Sequence, residues 1–223
     1  MRTTGFLAAL LLTAGVTSSF ADEKCRSELE AAFTKQAGTG KMRSLIESPI
    51  VGAMSGRIER TIDAVRPDKI YSRVKSSAEE GLAETIVIGN HAWSNSGMGW
   101  DEVKPNIAMA MSMDVVEMMK PQKVGADFSC LGKVSYAGKE YLGYSGAPGK
   151  AGDGVELKTT VYVDAASGLP AFNIIAPASG DGETRLKMTY SYTEDIAVES
   201  PMPPVETMSD TPAAAAGAEP AQK

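Results

Sequence analysis

Cysteine and histidine are nearly missing from this chain, which has two Cys and one His in 223 residues. That scarcity excludes zinc and redox sites of the C-x-x-C kind, and it leaves a histidine-based catalytic centre little to work with. No G-x-S-x-G, H-E-x-x-H or P-loop pattern occurs. Aromatic residues make up only 6%, and the basic side chains, 22 against 28 acidic, give a net charge of −6 with no basic cluster. Nucleic acid is therefore not an expected partner, because phosphate binding needs a local excess of Lys and Arg. The chain also lacks an apolar run of the roughly 20 residues that a membrane-spanning helix needs. What it does contain is 43% hydrophobic residues, enough to bury the core of one ordinary domain and to exclude a globally disordered chain.

Residues 1–21 read as a secretory signal. Arg2 supplies the positive start, Phe6 to Val16 the short apolar run, and Ser19-Phe20-Ala21 the small residues at which a cut after Ala21 is expected. Asp22-Glu23-Lys24 separates that cut from Cys25, which argues against a lipid anchor on the cysteine. The expected mature protein is soluble, does not span the membrane and resides in the periplasm. In that oxidising compartment Cys25 and Cys130 read as one disulfide. Its long loop implies about 4–5 kcal/mol of stabilisation in the chain-entropy picture. A metal pair or a reactive thiol is the competing reading, without C-x-x-C spacing or a nearby His to support it.

Three stretches differ in composition. Residues 22–39 read as a helix, with Leu29, Ala32 and Phe33 on one stripe and Gly38-Thr39-Gly40 as the stop. Residues 41–199 read mainly as strands and complete a single domain over 22–199. From Ser200 to 223, five prolines and the run Ala213 to Ala216 predict a flexible tail. The strand signal is strongest late: Val155, Leu157, Thr159, Val161 and Val163 alternate with polar residues, as do Leu186, Met188, Tyr190 and Tyr192. Earlier strands are predicted over 42–48, 55–65, 69–76, 83–88, 91–94, 127–136 and 139–145, separated by turn signals such as Arg66-Pro67-Asp68. One helix interrupts them. Pro105 suits a first helical turn, Ile107, Met111, Val115 and Met118 form the apolar stripe, and Pro121 closes it.

The candidates for chemistry are sparse. Met109-Ala-Met111-Ser-Met113 suggests soft Cu(I) ligands in an extended segment, but on a helix alternate residues point about 200° apart, and the three sulfurs scatter. Packing, or adaptable contact with hydrophobic ligands, is the better reading, and no metal or cofactor is expected. His91 has no acidic or nucleophilic neighbour in sequence and reads as a strand or turn residue beside Trp93. Gly97-Met98-Gly99 lacks the third glycine of a dinucleotide site and reads as a turn between strands, with Trp93 and Trp100 contributing to the core. Adjacent carboxylates such as Glu79-Glu80, Asp101-Glu102 and Glu194-Asp195 read as solvated surface. No catalytic residue is assigned, and the protein is expected not to be an enzyme.

Taken in order, several segments resemble the LolA-like periplasmic proteins, the superfamily of lipoprotein-sorting carriers and lipid-binding proteins. They are the N-terminal helix, Arg66-Pro-Asp-Lys-Ile-Tyr71, Glu84-Thr-Ile-Val-Ile-Gly89 leading to His91-Ala-Trp93, Gly97-Met-Gly-Trp100, Asp164-Ala-Ala-Ser-Gly-Leu-Pro170, and Tyr190-Ser-Tyr192 through Ile196 to Pro201. The resemblance spans roughly residues 26–201. It implies a mainly β, α+β fold: a curved antiparallel sheet that forms an unclosed half-barrel, with helices over its concave face and a hydrophobic cavity between them. The implied role is a carrier or binding protein for an acyl chain, a lipid or a lipidated protein. The alternative is an interaction module that uses the fold as a surface for an envelope protein. Periodicity names Met111, Val115 and Met118 on the helix and Val161, Leu186, Met188 and Tyr190 on the strands as candidate cavity walls.

Overall fold

A computed structural model of the chain describes residues 18–50, 56–78, 81–125 and 127–202. The expected signal up to residue 17 and the tail from 203 onward lie outside the described residues. Helix α1 (Ser18–Ala37) contains the expected cut after Ala21 in its first turn. It forms because Cys25, Leu29, Ala32, Phe33 and Gln36 follow helical spacing and are all buried. It stops at Gly38, whose N–H bonds to the carbonyls of Thr34 and Lys35 at 3.1 Å.

Six strands follow: β1 (Lys41–Ile50), β2 (Gly56–Val65), β3 (Lys69–Ser76), β4 (Gly81–Ile88), β5 (His91–Asn95) and the short β6 (Trp100–Glu102). Helix α2 (Pro105–Met118) then leads to β7 (Phe128–Tyr136), β8 (Lys139–Gly146), β9 (Gly149–Lys150), β10 (Glu156–Asp164), β11 (Pro170–Pro177) and β12 (Leu186–Ser191). All pairings are antiparallel, in the order β6-β5-β4-β3-β2-β1-β12-β11-β10-β8-β7, with β9 beside β10. The last strand closes on the first, from Arg43 opposite Ser191 to Glu47 opposite Lys187. The outermost strands, β6 and β7, do not pair with each other. The sheet is therefore an unclosed half-barrel, and both helices pack on its concave face.

The predicted strands fall on the observed ones within one to three residues. Strand β11 was not predicted. Two prolines and Asn173 weaken its local signal, and it forms because β10 and β12 offer ladders on both sides, a tertiary override of propensity. Helix α2 is rotated from its predicted stripe. Its buried residues are Ala108, Ser112 and Val115, followed by Met119 just beyond its end, while Ile107 and Met118 lie exposed on its flank. The small Ala108 and Ser112 allow close approach to the sheet, which the bulkier Ile107 and Met111 would not.

Two side-chain layers complete the core. Under α1, Leu29 and Phe33 meet Tyr144, Val161 and Val163. Under α2, Val115 and Met119 meet Ile62, Ala64, Ile70, Val87 and Ala92. The Cys25–Cys130 disulfide ties α1 to edge strand β7. A smaller cluster lies on the opposite, convex face, where Ile86 and Trp93 are covered by Val198 and Met202 from the segment after β12. Trp93 is thus a core residue, as its size suggested, but a core residue of the outer face.

Candidate functional site

Cross-strand pairs define the concave face row by row. Ile62 stands opposite Ser72 and Ser44, and Ser44 stands opposite Tyr190. All four are buried. One step along the strands, about 7 Å away, Val74, Arg60, Ile46, Met188 and Asn173 form the next row. One step further, Ser76, Ile58 and Ser48 continue on one side, and Leu186, Ile175 and Thr159 on the other. No residue of these last two rows is buried, and Ile58 is 38% exposed. Burial stops along a line across the sheet, beyond the residues that pack under α1 and α2.

Beyond that line the floor is mixed, apolar at Val74, Ile46, Met188, Ile58, Leu186 and Ile175 and polar at Arg60, Asn173, Ser76, Ser48 and Thr159. Ile50, Ile58, Leu157, Ile175 and Leu186 are partly exposed on this face, outside the packed layers, and make an open trough next to Ile46 and Met188. A partly exposed apolar surface of this kind marks an interaction site more often than an unfinished core. Where the trough runs under the helices it deepens into a pocket of about 110 Å3, lined among others by Phe33, Gln36, Met42, Ser44, Ile62, Arg66, Met118, Met188 and Tyr190. A wider cleft of about 490 Å3 lies at the far end, between Ile50, Val155, Pro177 and the turn at residues 179–185.

Polar groups at the pocket are held by specific bonds. Arg66, in the turn after β2, donates Nη1 to the carbonyl of Met119 and Nη2 to that of Gln36 at 3.4 Å. One guanidinium thereby holds the C-terminal ends of both helices, where the carbonyl groups carry partial negative charge. Burial pushes the Arg66 guanidinium below its ordinary value. Gln36 Nε2 donates to Tyr192 Oη at 2.9 Å, and Tyr192 Oη donates to the Pro170 carbonyl at 2.7 Å. Tyr190 Oη accepts from Asn173 Nδ2 at 3.0 Å, and burial pushes its phenol up to about 12. Among the described residues, the buried atoms without a partner are Trp93 Nε1 and Asn173 Oδ1.

The sequence-derived candidates separate into three groups. Met118, Met188 and Tyr190 line the pocket together. Leu186 lies in the open trough, next to the pocket rather than in it. Val115 and Val161 are buried in the packed layers under the helices, with Met111 packed against the first of them. Of the polar lining, Ser44, Gln36, Arg66, Lys120 and Gln122 were missed. Ser44 could have been found from the alternation Met42-Ser44-Ile46 in a predicted strand. Arg66 gave no signal, since it sits in a turn and works through helix ends distant in sequence.

The other singled-out features stay local. His91 Nδ1 lies 3.2 Å from Glu102 Oε1 across the short β5–β6 pair, and its ring stacks on Trp93 at 6.0 Å. Asn95 Oδ1 accepts the N–H groups of Gly97 and Gly99 at 2.8 and 3.1 Å, so the G-x-G is a turn. Met109 and Met113 are exposed on the side of α2 turned away from the core, whereas Met111 packs inward. Among the described residues, no group of three or more His, Cys, Asp or Glu comes together as a metal site, and no helix is long and apolar enough to cross a membrane.

No protein-family model matches the chain, and no curated protein matches it. Solved structures do. The lipoprotein LppX of Mycobacterium tuberculosis aligns over 80% of this chain and 100% of its own at 13% identity, with a TM-score of 0.53. The chain shares the fold of LppX. More distant in shape are a putative outer membrane lipoprotein-sorting protein domain from Vibrio parahaemolyticus (11% identity, 82% of this chain, 95% of that one, TM-score 0.34) and the MucA/MucB complex of Pseudomonas aeruginosa (11%, 75%, 55%, 0.38). Of these three, LppX alone is similar enough in shape to bear on the fold.

Proposed function

We propose that the protein is a carrier or binding protein for a hydrophobic ligand in the cell envelope, exported by its N-terminal signal and acting without making or breaking a bond. The observation that supports this reading is the concave face itself, where Ile46, Met188, Ile58, Leu186 and Ile175 stay partly exposed beyond the packed layers, beside the pocket lined by Phe33, Met42, Ile62 and Met118. Covering about 300 Å2 of that floor would yield on the order of 7 kcal/mol at roughly 25 cal/mol per Å2, before the cost of association is subtracted. The pocket alone holds little: it is smaller than the about 150 Å3 cavity that takes up one benzene. A chain-like ligand therefore lies along the trough.

The test is lipid mass spectrometry on protein extracted from its own compartment, together with uptake of a fluorescent fatty acid by delipidated protein. Bound lipid and saturable uptake are expected. Their repeated absence overturns the reading.

A second reading rests on α2. Met109, Met113 and Val116 stand on the side of that helix turned away from the sheet, and Met113 is 67% exposed. An apolar helix flank of this kind suits docking on a protein partner. A stoichiometric envelope partner in the absence of lipid, released by Met113→Glu, would favour it.

A further inference from the structure

Aromatic residues are scarce in this chain, yet four of them gather on the outer face of the sheet, away from both helices. Tyr162 alternates with Val161 and Val163, which are buried under α1, and so points the other way. Phe172 stands opposite it on β11 and stacks on it at 4.3 Å between ring centroids. Tyr136 and Tyr141 lean on Phe172 at 4.7 and 5.1 Å. Phe172 is buried in the middle, and the three tyrosines round it are partly exposed. Packing explains the phenylalanine but not the hydroxyls. Of the seven tyrosines, Tyr71, Tyr144, Tyr190 and Tyr192 each bond through Oη to another group of the protein, whereas among the described residues the phenols of Tyr136, Tyr141 and Tyr162 bond to none.

Tyr136 also borders a cleft of about 380 Å3, within the range of small-molecule sites, together with Glu47, Arg57, Glu183, Thr184 and Lys187. Lys187 Nζ lies 5.5 Å over the Tyr136 ring, so the ring turns a face, not an edge, toward the cleft. Such an electron-rich face attracts cations and polarised C–H groups alike. Glu47 pairs with Arg57 at 3.4 Å, and the cleft as a whole balances two carboxylates, Glu47 and Glu183, against two cations, Arg57 and Lys187. That balance suits a neutral ligand, since a phosphate or sulfate would meet the carboxylates uncompensated. We infer that the outer cleft binds a neutral glycan. One sugar ring takes the place of the Lys187 ammonium over Tyr136 and lays its C–H face there, while its hydroxyls donate to Glu47 and Glu183 and accept from Arg57. The free phenols beside Tyr136 extend the same surface for the next sugar unit. This site lies on the opposite face of the sheet from the trough and does not depend on the hydrophobic-ligand reading.

The experiment is isothermal titration of the full chain with the neutral trisaccharides triacetylchitotriose and cellotriose, and with a sulfated trisaccharide as the charged control. Saturable binding of at least one neutral glycan, and none of the sulfated one, is expected. Tyr136→Ala removes the stacking face and should weaken binding about tenfold. The double variant Glu47→Gln, Glu183→Gln keeps the ring and should weaken binding several-fold, with thermal melting as the folding check for each. Loading the trough with dodecanoate beforehand should leave the glycan affinity unchanged, because the two sites lie on opposite faces of the sheet. No saturable binding of either neutral glycan, tighter binding of the sulfated one, displacement by dodecanoate, or full affinity in both variants overturns the proposal, and none of these results touches the trough reading.

Discussion

Two halves of one concave face are built from the same strands and meet opposite fates. Toward the helices, Ile62, Ala64, Ile70, Val87, Val161 and Val163 are buried under α1 and α2. Four residues from Ile62 along β2, Ile58 carries a side chain of the same kind and is partly in water, as are Leu186 on β12 and Ile175 on β11. Alternation gives both halves an apolar face, so the strands by themselves do not distinguish core from binding surface. The helices do, by which rows they cover, and Arg66 holds the C-terminal ends of both helices at once.

The comparison is open to direct attack at its strongest point. Replacing Cys25 and Cys130 by serine releases α1 from β7 and should cost about 4 kcal/mol. Chemical denaturation would show it as a lower midpoint, and a drop below about 1 kcal/mol would mean that α1 is held by packing alone. Leu29→Ala, at a position fully buried between α1 and the sheet, should cost about 3 kcal/mol. In the other half Ile58→Ser and Leu186→Ser should change stability by about 0.5 kcal/mol or less, as exposed positions do, yet weaken binding of an apolar probe several-fold. If these open-half variants unfold the protein as Leu29→Ala does, the trough is core and the contrast collapses.

A smaller effect is expected from pH. The Lys139 ammonium at 2.5 Å, and then the Ser167 N–H, hold the Asp164 carboxyl well below the usual carboxylate range. A carboxyl whose folded value is depressed stabilises the fold above its unfolded value near 4, and that contribution is lost as pH falls through the folded value. Acid should therefore loosen the β10–β11 turn, and Asp164→Asn should remove that part of the pH dependence in melting experiments between pH 5 and about 2. An unchanged acid profile would show that the turn is held by its backbone bonds alone.

Much of the fold was legible in the sequence because its strands are meander-like and locally patterned. Turn signals separated them, and period-two alternation marked the inward face of β10 and β12. Of the strands that escaped, β6 and β9 are only two or three residues long, and β11 has prolines at both ends and is made by its neighbours. Helix α2 was legible as a helix but not in its rotation. With apolar residues nearly all round, its periodicity could not say which flank faces the sheet, and the close fit of Ala108 and Ser112 decided it. The same limit applied to the candidate walls. Val161 and Leu186 lie on equivalent faces of their strands, yet one is core and the other trough, since their difference lies in what covers them.

The sequence by itself determined the export signal as an expectation, the pairing of the lone two cysteines, the strand-rich fold and the poverty of catalytic groups, because each rests on composition or on short-range order. The tertiary structure decided where burial ends on the concave face, and that Ser44, Tyr190 and Arg66 share one pocket. Those facts depend on strand register and on helix ends brought together from distant parts of the chain, which local pattern does not encode.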